Sequence, residues 1–246
     1  MAMSDINYIY LIFFVLIVFQ SIAGVGVLVI GTPVLLILGF EFLDVISILL
    51  PISILTSLIN LLFIRFYKIK QNFSIDKDYN TLFYFICLPS IILGIIILKY
   101  FGENFNFNYL VSFVILLSVF LSRFRKFVKR INRNSKIVVL FVTGIIHGIS
   151  NSGGSLLSLF ISSNLNKDLS RYNITYFYFF LAFFQYTVFI FFFDKIFLEF
   201  NFKILITVLI FGIIIGNYLS KFFRDGTFRN LISMLSILAC FVLIIK

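Results

Sequence analysis

Eight stretches of this chain, residues 6–40, 45–64, 79–98, 104–122, 137–166, 172–193, 204–220 and 230–245, contain no Asp, Glu, Lys or Arg. At about 1.5 Å of helix rise per residue, most are long enough to cross the roughly 30 Å hydrocarbon core of a bilayer. Composition removes the alternative of a soluble core. Hydrophobic residues make up 61 % of the 246 positions and charged residues 12 %, where a soluble domain carries about a quarter charged. In lipid the backbone must satisfy its own hydrogen bonds, which leaves helices or a closed barrel, and barrel strands would read as alternating segments of about ten residues. The expectation is an all-α membrane protein of about eight transmembrane helices.

Lys and Arg set the expected orientation. With the N-terminus inside, the inner segments collect Arg65, Lys68, Lys70, Lys77, seven basic residues between 123 and 136, Lys195, Lys203 and Lys246, which is fourteen of the twenty. Basic loops stay on the cytoplasmic side, so both termini and the 123–136 linker are expected there, in a multi-pass protein of the cell (plasma) membrane. The formal net charge of +10 then reports topology, and nucleic acid is not an expected partner. The apolar run after the first residues is too long for a signal-peptide core and is expected to remain as the first span. Cys87 and Cys240 sit in apolar segments without Cys or His at metal-ligand spacing, so they read as packing residues, and no metal or cofactor is expected.

The chain repeats itself. FNYLVSF at 107–113 lines up with FRNLISM at 228–234, GIII at 94–97 resembles GIIIG at 212–216, and QSIAGVG at 20–26 aligns with HGISNSG at 147–153. These matches predict two four-helix halves, 1–122 and 137–246, joined by the basic linker 123–136 and sharing one orientation about an axis along the membrane normal. Each half opens on an unusually long uncharged segment. Thirty-five residues from Ile6 would form a straight helix of about 52 Å, well beyond the hydrocarbon thickness. Gly24, Gly26, Gly31 and Pro33, and in the second half the run Asn151, Ser152, Gly153, Gly154 and Ser155, predict that the first helix of each half is broken.

The two glycine-rich stretches, QSIAGVGVLVIGTP at 20–33 and GIIHGISNSGGS at 144–155, resemble the paired signatures of the sulfite exporter TauE/SafE family of membrane transporters. Length, the basic central loop and the duplicated four-helix plan are similar along essentially the whole chain. The resemblance implies a secondary transporter that moves a small sulfur-containing anion, sulfite or an organosulfonate, usually outward and by alternating access. Two alternatives stay open, a non-transporting polytopic subunit of a membrane complex and a membrane enzyme. An enzyme is not expected, because acids occur only in loops or at span ends and no nucleophile has a recognisable base. A small anionic substrate and membrane lipid are the expected partners, and a homodimer is left open.

Broken helices point to where a substrate would sit. Each half-helix N-terminus offers unpaired N–H groups to an anion, which makes Gly24, Gly26, Ser152, Gly153, Gly154 and Ser155 candidate binding residues. His147, the one histidine, lies well inside a span and shares a polar face with Thr143, Ser150 and Asn151, so it is a candidate by default. A neutral His bonded between helices is the other reading. Gln20, Asn60 and Gln185 could donate to anion oxygens or simply tie helices together. Arg171, read as a loop residue after the second broken segment, could gather an anion at the outer mouth or serve as a flanking anchor. Gly24 and Gly26 lack dinucleotide-binding spacing, and the P-loop-like run at 26–32 lacks the phosphate-binding Lys. The GxxxG pairs at 144–148 and 212–216 read as packing.

Overall fold

The computed structural model describes residues 3–67, 74–75, 77–123, 133–165, 167–194, 200–222, 237, 240–241 and 243–245. Most of the basic linker, the repeat match at 228–234 and most of the eighth expected span lie outside the described residues. In chain order the helices are α1 (Met3–Ala23), α2 (Val27–Ile37), α3 (Phe42–Tyr67), α4 (Lys77–Leu82), α5 (Leu88–Phe101), α6 (Phe107–Arg123), α7 (Arg133–Ser150), α8 (Gly154–Asn164), α9 (Lys167–Phe193) and α10 (Phe202–Leu219). A π-helical turn, Phe83–Cys87, joins α4 to α5. The described residues contain no strand, so the all-α expectation holds.

Among the described residues, four stretches are long and apolar enough to cross a membrane: Phe42–Phe66, Tyr79–Asn104, Asp168–Phe193 and Phe202–Leu219. Tyr8–Ala23, Val27–Ile37 and Phe107–Leu121 are apolar but shorter. Of the eight uncharged runs, that at 104–122 gives a helix too short to qualify and most of the last lies outside the described residues, while the remaining two fall short for a physical reason. The two longest runs are each divided between two helices, and α7 begins with Arg133 and Lys136 ahead of its apolar part.

Both divisions use the same local device. α1 stops at Ala23 because Gly24 turns left-handed, with φ +79°, and its N–H closes onto the carbonyl of Gln20 at 2.7 Å. α7 stops at Ser150 because Asn151 does the same, with φ 58°, and its N–H closes onto the carbonyl of His147 at 2.9 Å. This is the left-handed cap that commonly ends a helix, and Gly and Asn are the residues that tolerate it. The interruptions are narrower than expected. Gly31 and Pro33 remain helical inside α2, where a side chain at Gly31 would meet methyls of Leu16 and Leu49 at 3.0 Å. Ser155 belongs to the first turn of α8.

Three helix pairs make the most extensive contacts: α1 with α10, α5 with α7, and α3 with α9. Glycines bring the first two pairs close. Gly212 and Gly216 of α10 face Ile17 and Ser21 of α1, and Gly94 of α5 faces Ile145 and Gly148 of α7. A β-carbon at Gly144 would overlap the Ser90 hydroxyl and the Cys87 carbonyl at the π-turn. In lipid, where helices gain little by hiding apolar surface from water, such backbone approach is a main source of association. α9 then runs past both interruptions, with the side chains of Phe177, Tyr178, Leu181, Ala182, Gln185 and Phe189 buried.

Candidate functional site

The polar side chains of the first interruption are spent largely on each other, although the buried Arg171 Nε has no partner. The Gln20 amide oxygen accepts from the Val27 N–H at 3.1 Å, which caps the start of α2. Its nitrogen donates to the Ser57 hydroxyl at 2.9 Å and the Ser53 carbonyl at 3.1 Å. The Ser53 hydroxyl lies at 3.4 Å from both amide atoms. Gln20 therefore ties the end of α1 and the start of α2 to α3. On the other side, the Arg171 guanidinium donates to the backbone carbonyl of Ser21, to the Asn217 side-chain oxygen at 2.6 Å and to the Ser220 hydroxyl at 3.0 Å. A cation on a last-turn carbonyl of α1 meets the negative end of that helix, where it is stabilising. Asn217 in turn donates to the Asn60 oxygen at 2.7 Å, and the Asn60 nitrogen donates to the Ser21 hydroxyl at 3.0 Å. Gly24 packs on the Arg171 carbonyl and the Thr175 hydroxyl, and Gly26 on the backbone of Gln20.

The second interruption contrasts with the first. Around it the Thr143 hydroxyl, both ring nitrogens of His147, the Asn151 side-chain oxygen, the Tyr178 hydroxyl and the Gln185 side-chain oxygen are all buried without a hydrogen-bond partner. Their residues are fully buried. Two bonds frame the group: the Gln185 nitrogen donates to the His147 backbone carbonyl at 3.0 Å, and the Asn151 nitrogen donates to the Thr32 hydroxyl at 3.1 Å, linking this interruption to α2. The serines are turned onto their own backbone. Ser152 donates to the Ser150 carbonyl at 3.0 Å, and Ser155 to the Ser152 carbonyl at 2.8 Å. The glycines are space requirements. A β-carbon at Gly153 would overlap the Thr143 carbonyl and lie 2.7 Å from the His147 β-carbon, and one at Gly154 would overlap the Tyr178 hydroxyl. Tyr178 thus stands directly over the first residue of α8, an eleven-residue helix whose N-terminus carries partial positive charge.

An unpaired polar group in a protein interior costs about 1–3 kcal/mol. Five such side chains together match the net stability of many domains, about 5–15 kcal/mol. Such a concentration of unpaired groups in one place calls for an explanation.

The family model described as Sulfite exporter TauE/SafE matches residues 9–243. The chain belongs to the sulfite exporter TauE/SafE family. Neither the curated proteins nor the solved structures return a match. Membership of a transporter family, with helices long and apolar enough to span a bilayer, makes the chain an integral membrane protein of the transport class.

Within this TauE/SafE member the twelve residues singled out from sequence fall into two groups. Gln20, Gly24, Gly26, Asn60 and Arg171 converge on the first interruption, and His147, Asn151, Ser152, Gly153, Gly154, Ser155 and Gln185 on the second. Arg171 is a correction. It lies in the first turns of α9, is buried, and has its guanidinium directed at α1 and α10 rather than sitting in a loop at an outer mouth. Tyr178 was missed, since nothing sets it apart within the aromatic run of α9. A signal was there in its spacing: Arg171, Thr175, Tyr178, Ala182 and Gln185 recur every three or four residues, one face of a helix. That face borders both interruptions.

Proposed function

We propose that this TauE/SafE member is a secondary transporter for a small sulfur-containing anion, sulfite or an organosulfonate, exported by alternating access with the anion bound at the second interruption. The observation that carries the reading is the group of unpaired, buried side chains Thr143, His147, Asn151, Tyr178 and Gln185 around the start of α8. Tyr178, Thr143 and one nitrogen of a neutral His147 can donate to anion oxygens. The N-terminal turn of α8 adds partial positive charge without a buried Lys or Arg. Gln20, Asn60 and Arg171 act in this reading as the fixed frame against which the site is held.

The proposal includes two duplicated halves of four helices. Its support is the exchange pattern of the packing. The interruption 24–26 recurs at 151–153, and α3 and α9 begin 125 residues apart. Exchanging the halves turns the α1–α10 pair into α7–α5 and leaves α3–α9 paired with itself. Related halves packed about a central pair suit a fold in which one moves against the other around a bound substrate.

Uptake into liposomes containing the purified protein, with sulfite, ethanesulfonate and chloride compared, tests the function. Saturable movement of a sulfur anion that is lost in His147→Ala and reduced in Tyr178→Phe is the expected result. Transport unaffected by both changes would remove the site. No movement of any sulfur anion would favour a non-transporting membrane subunit.

A further inference from the structure

Gln185 is held in one orientation. Its amide nitrogen donates to the His147 backbone carbonyl at 3.0 Å, and since a carbonyl only accepts, the amide cannot be turned over without losing that bond. The amide oxygen is thereby committed to the opposite side of the group, buried and unpaired. It has lone pairs and no proton to give. Asn151 differs, because its partner is the Thr32 hydroxyl, which both donates and accepts and so leaves that amide free to face either way.

A fully deprotonated oxyanion brings acceptors only. It can be met by the Tyr178 and Thr143 hydroxyls and by the start of α8, but it offers nothing to the Gln185 oxygen and is opposed by its dipole. The two kinds of group are also set apart in space. Tyr178 and Gln185 share one face of α9 seven residues apart, which is two turns or about 10 Å of rise. Between them on that face stands Ala182, buried and carrying only a methyl group.

Resting on the reading of the second interruption as the substrate site, we infer that the substrate is an anion carrying its own hydrogen-bond donor, an O–H or N–H group separated from the charged head. The head lies beside the Tyr178 hydroxyl near the start of α8, and the donor meets the Gln185 oxygen. A hydroxyalkyl or aminoalkyl sulfonate has this form. Hydrogensulfite has a proton too, but on the head itself.

Binding of 2-hydroxyethanesulfonate and of ethanesulfonate to the purified full chain tests the inference, since the two share charge and nearly size and differ in one hydroxyl. The hydroxyl compound should bind about tenfold tighter, the worth of one hydrogen bond to a buried group. Gln185→Met should bring the ratio to about one. Tyr178→Phe should weaken both compounds and keep the ratio, which preserves the test if the Gln185 variant does not fold. Equal binding of the two sulfonates by the unaltered protein overturns the inference and leaves the site standing. Hydrogensulfite binding as tightly as 2-hydroxyethanesulfonate overturns the separation of donor from head. Binding of neither sulfonate overturns both the inference and the site.

Discussion

Replacing Gln20 and His147 in turn by Leu should have opposite consequences, although the two residues occupy matching places before the two interruptions. Gln20→Leu strands the Val27 N–H and the Ser57 hydroxyl, which it pairs at 3.1 and 2.9 Å. At about 1–3 kcal/mol for each buried group left unpaired, the loss is about 2–6 kcal/mol. A second route gives a similar floor. Polar bonds between membrane helices average about 0.6 kcal/mol each, and Gln20 has four partner atoms, the Val27 nitrogen, the Ser53 carbonyl and hydroxyl and the Ser57 hydroxyl, so about 2 kcal/mol is at stake. His147→Leu removes two ring nitrogens that bond nothing and puts an apolar group of similar size in their place, so by the same figure it should leave stability unchanged or raise it by about 1–3 kcal/mol. Anion binding should go the other way, lost with His147 and weakened by Gln20 only as far as folding is. Unfolding of the two purified variants in detergent, followed together with binding of a sulfonate, measures both quantities. If His147→Leu destabilises the protein as much as Gln20→Leu, the distinction between a paired and an unpaired interruption is wrong.

Gly153→Leu and Gly154→Leu should each abolish transport while the protein still inserts, since the new side chains would drive into the Thr143 carbonyl and the Tyr178 hydroxyl; transport retained in both would count against the site. Arg171→Lys keeps the charge but cannot reach the Ser21 carbonyl, Asn217 and Ser220 together, and with hydrogen bonds to charged groups worth about 1.5–3 kcal/mol it should cost about 2–4 kcal/mol, read from unfolding in detergent. Stability unchanged by that exchange would show that Arg171 does not hold α1 to α9 and α10. A single Cys introduced between 123 and 136 should resist an impermeant thiol reagent added outside intact cells, because seven basic residues in one short linker stay cytoplasmic; labelling there would reverse the orientation.

Much of the architecture was legible because it follows from solvent and length. Uncharged runs separated by charge clusters gave the membrane class and the helices, and runs too long for one crossing gave the two interruptions, marked by Gly24 and Asn151, which take the left-handed turn. The extent of each interruption was less legible, because glycine and proline in sequence look alike whether they break a helix or allow close packing, and Gly31 does the second against Leu16 and Leu49. The charge of Arg171 predicts a loop, because charge ordinarily ends a span. It is instead accommodated by acceptors from Ser21, Asn217 and Ser220, up to 150 residues away along the chain.

What sequence could not display is which polar residues are already used. Gln20 and His147 each lie three residues before the end of a helix, and the positions of α3 that pair with Gln20 can be compared with those 125 residues later on α9. On α3 those positions are Ser53 and Ser57, two short hydroxyl groups that fill the hydrogen bonds of Gln20. On α9 they are Tyr178 and Ala182, and His147 finds no partner in either. Ala182, 125 residues after Ser57, carries no hydroxyl. Tyr178, 125 residues after Ser53, places its hydroxyl at the start of α8, where it overlies Gly154. The first break is thus largely satisfied within itself, and the second has hydrogen-bonding capacity to spare. Transport through this protein should therefore respond to changes at Tyr178 and Ala182 far more than to the matching changes at Ser53 and Ser57, which should register chiefly in stability.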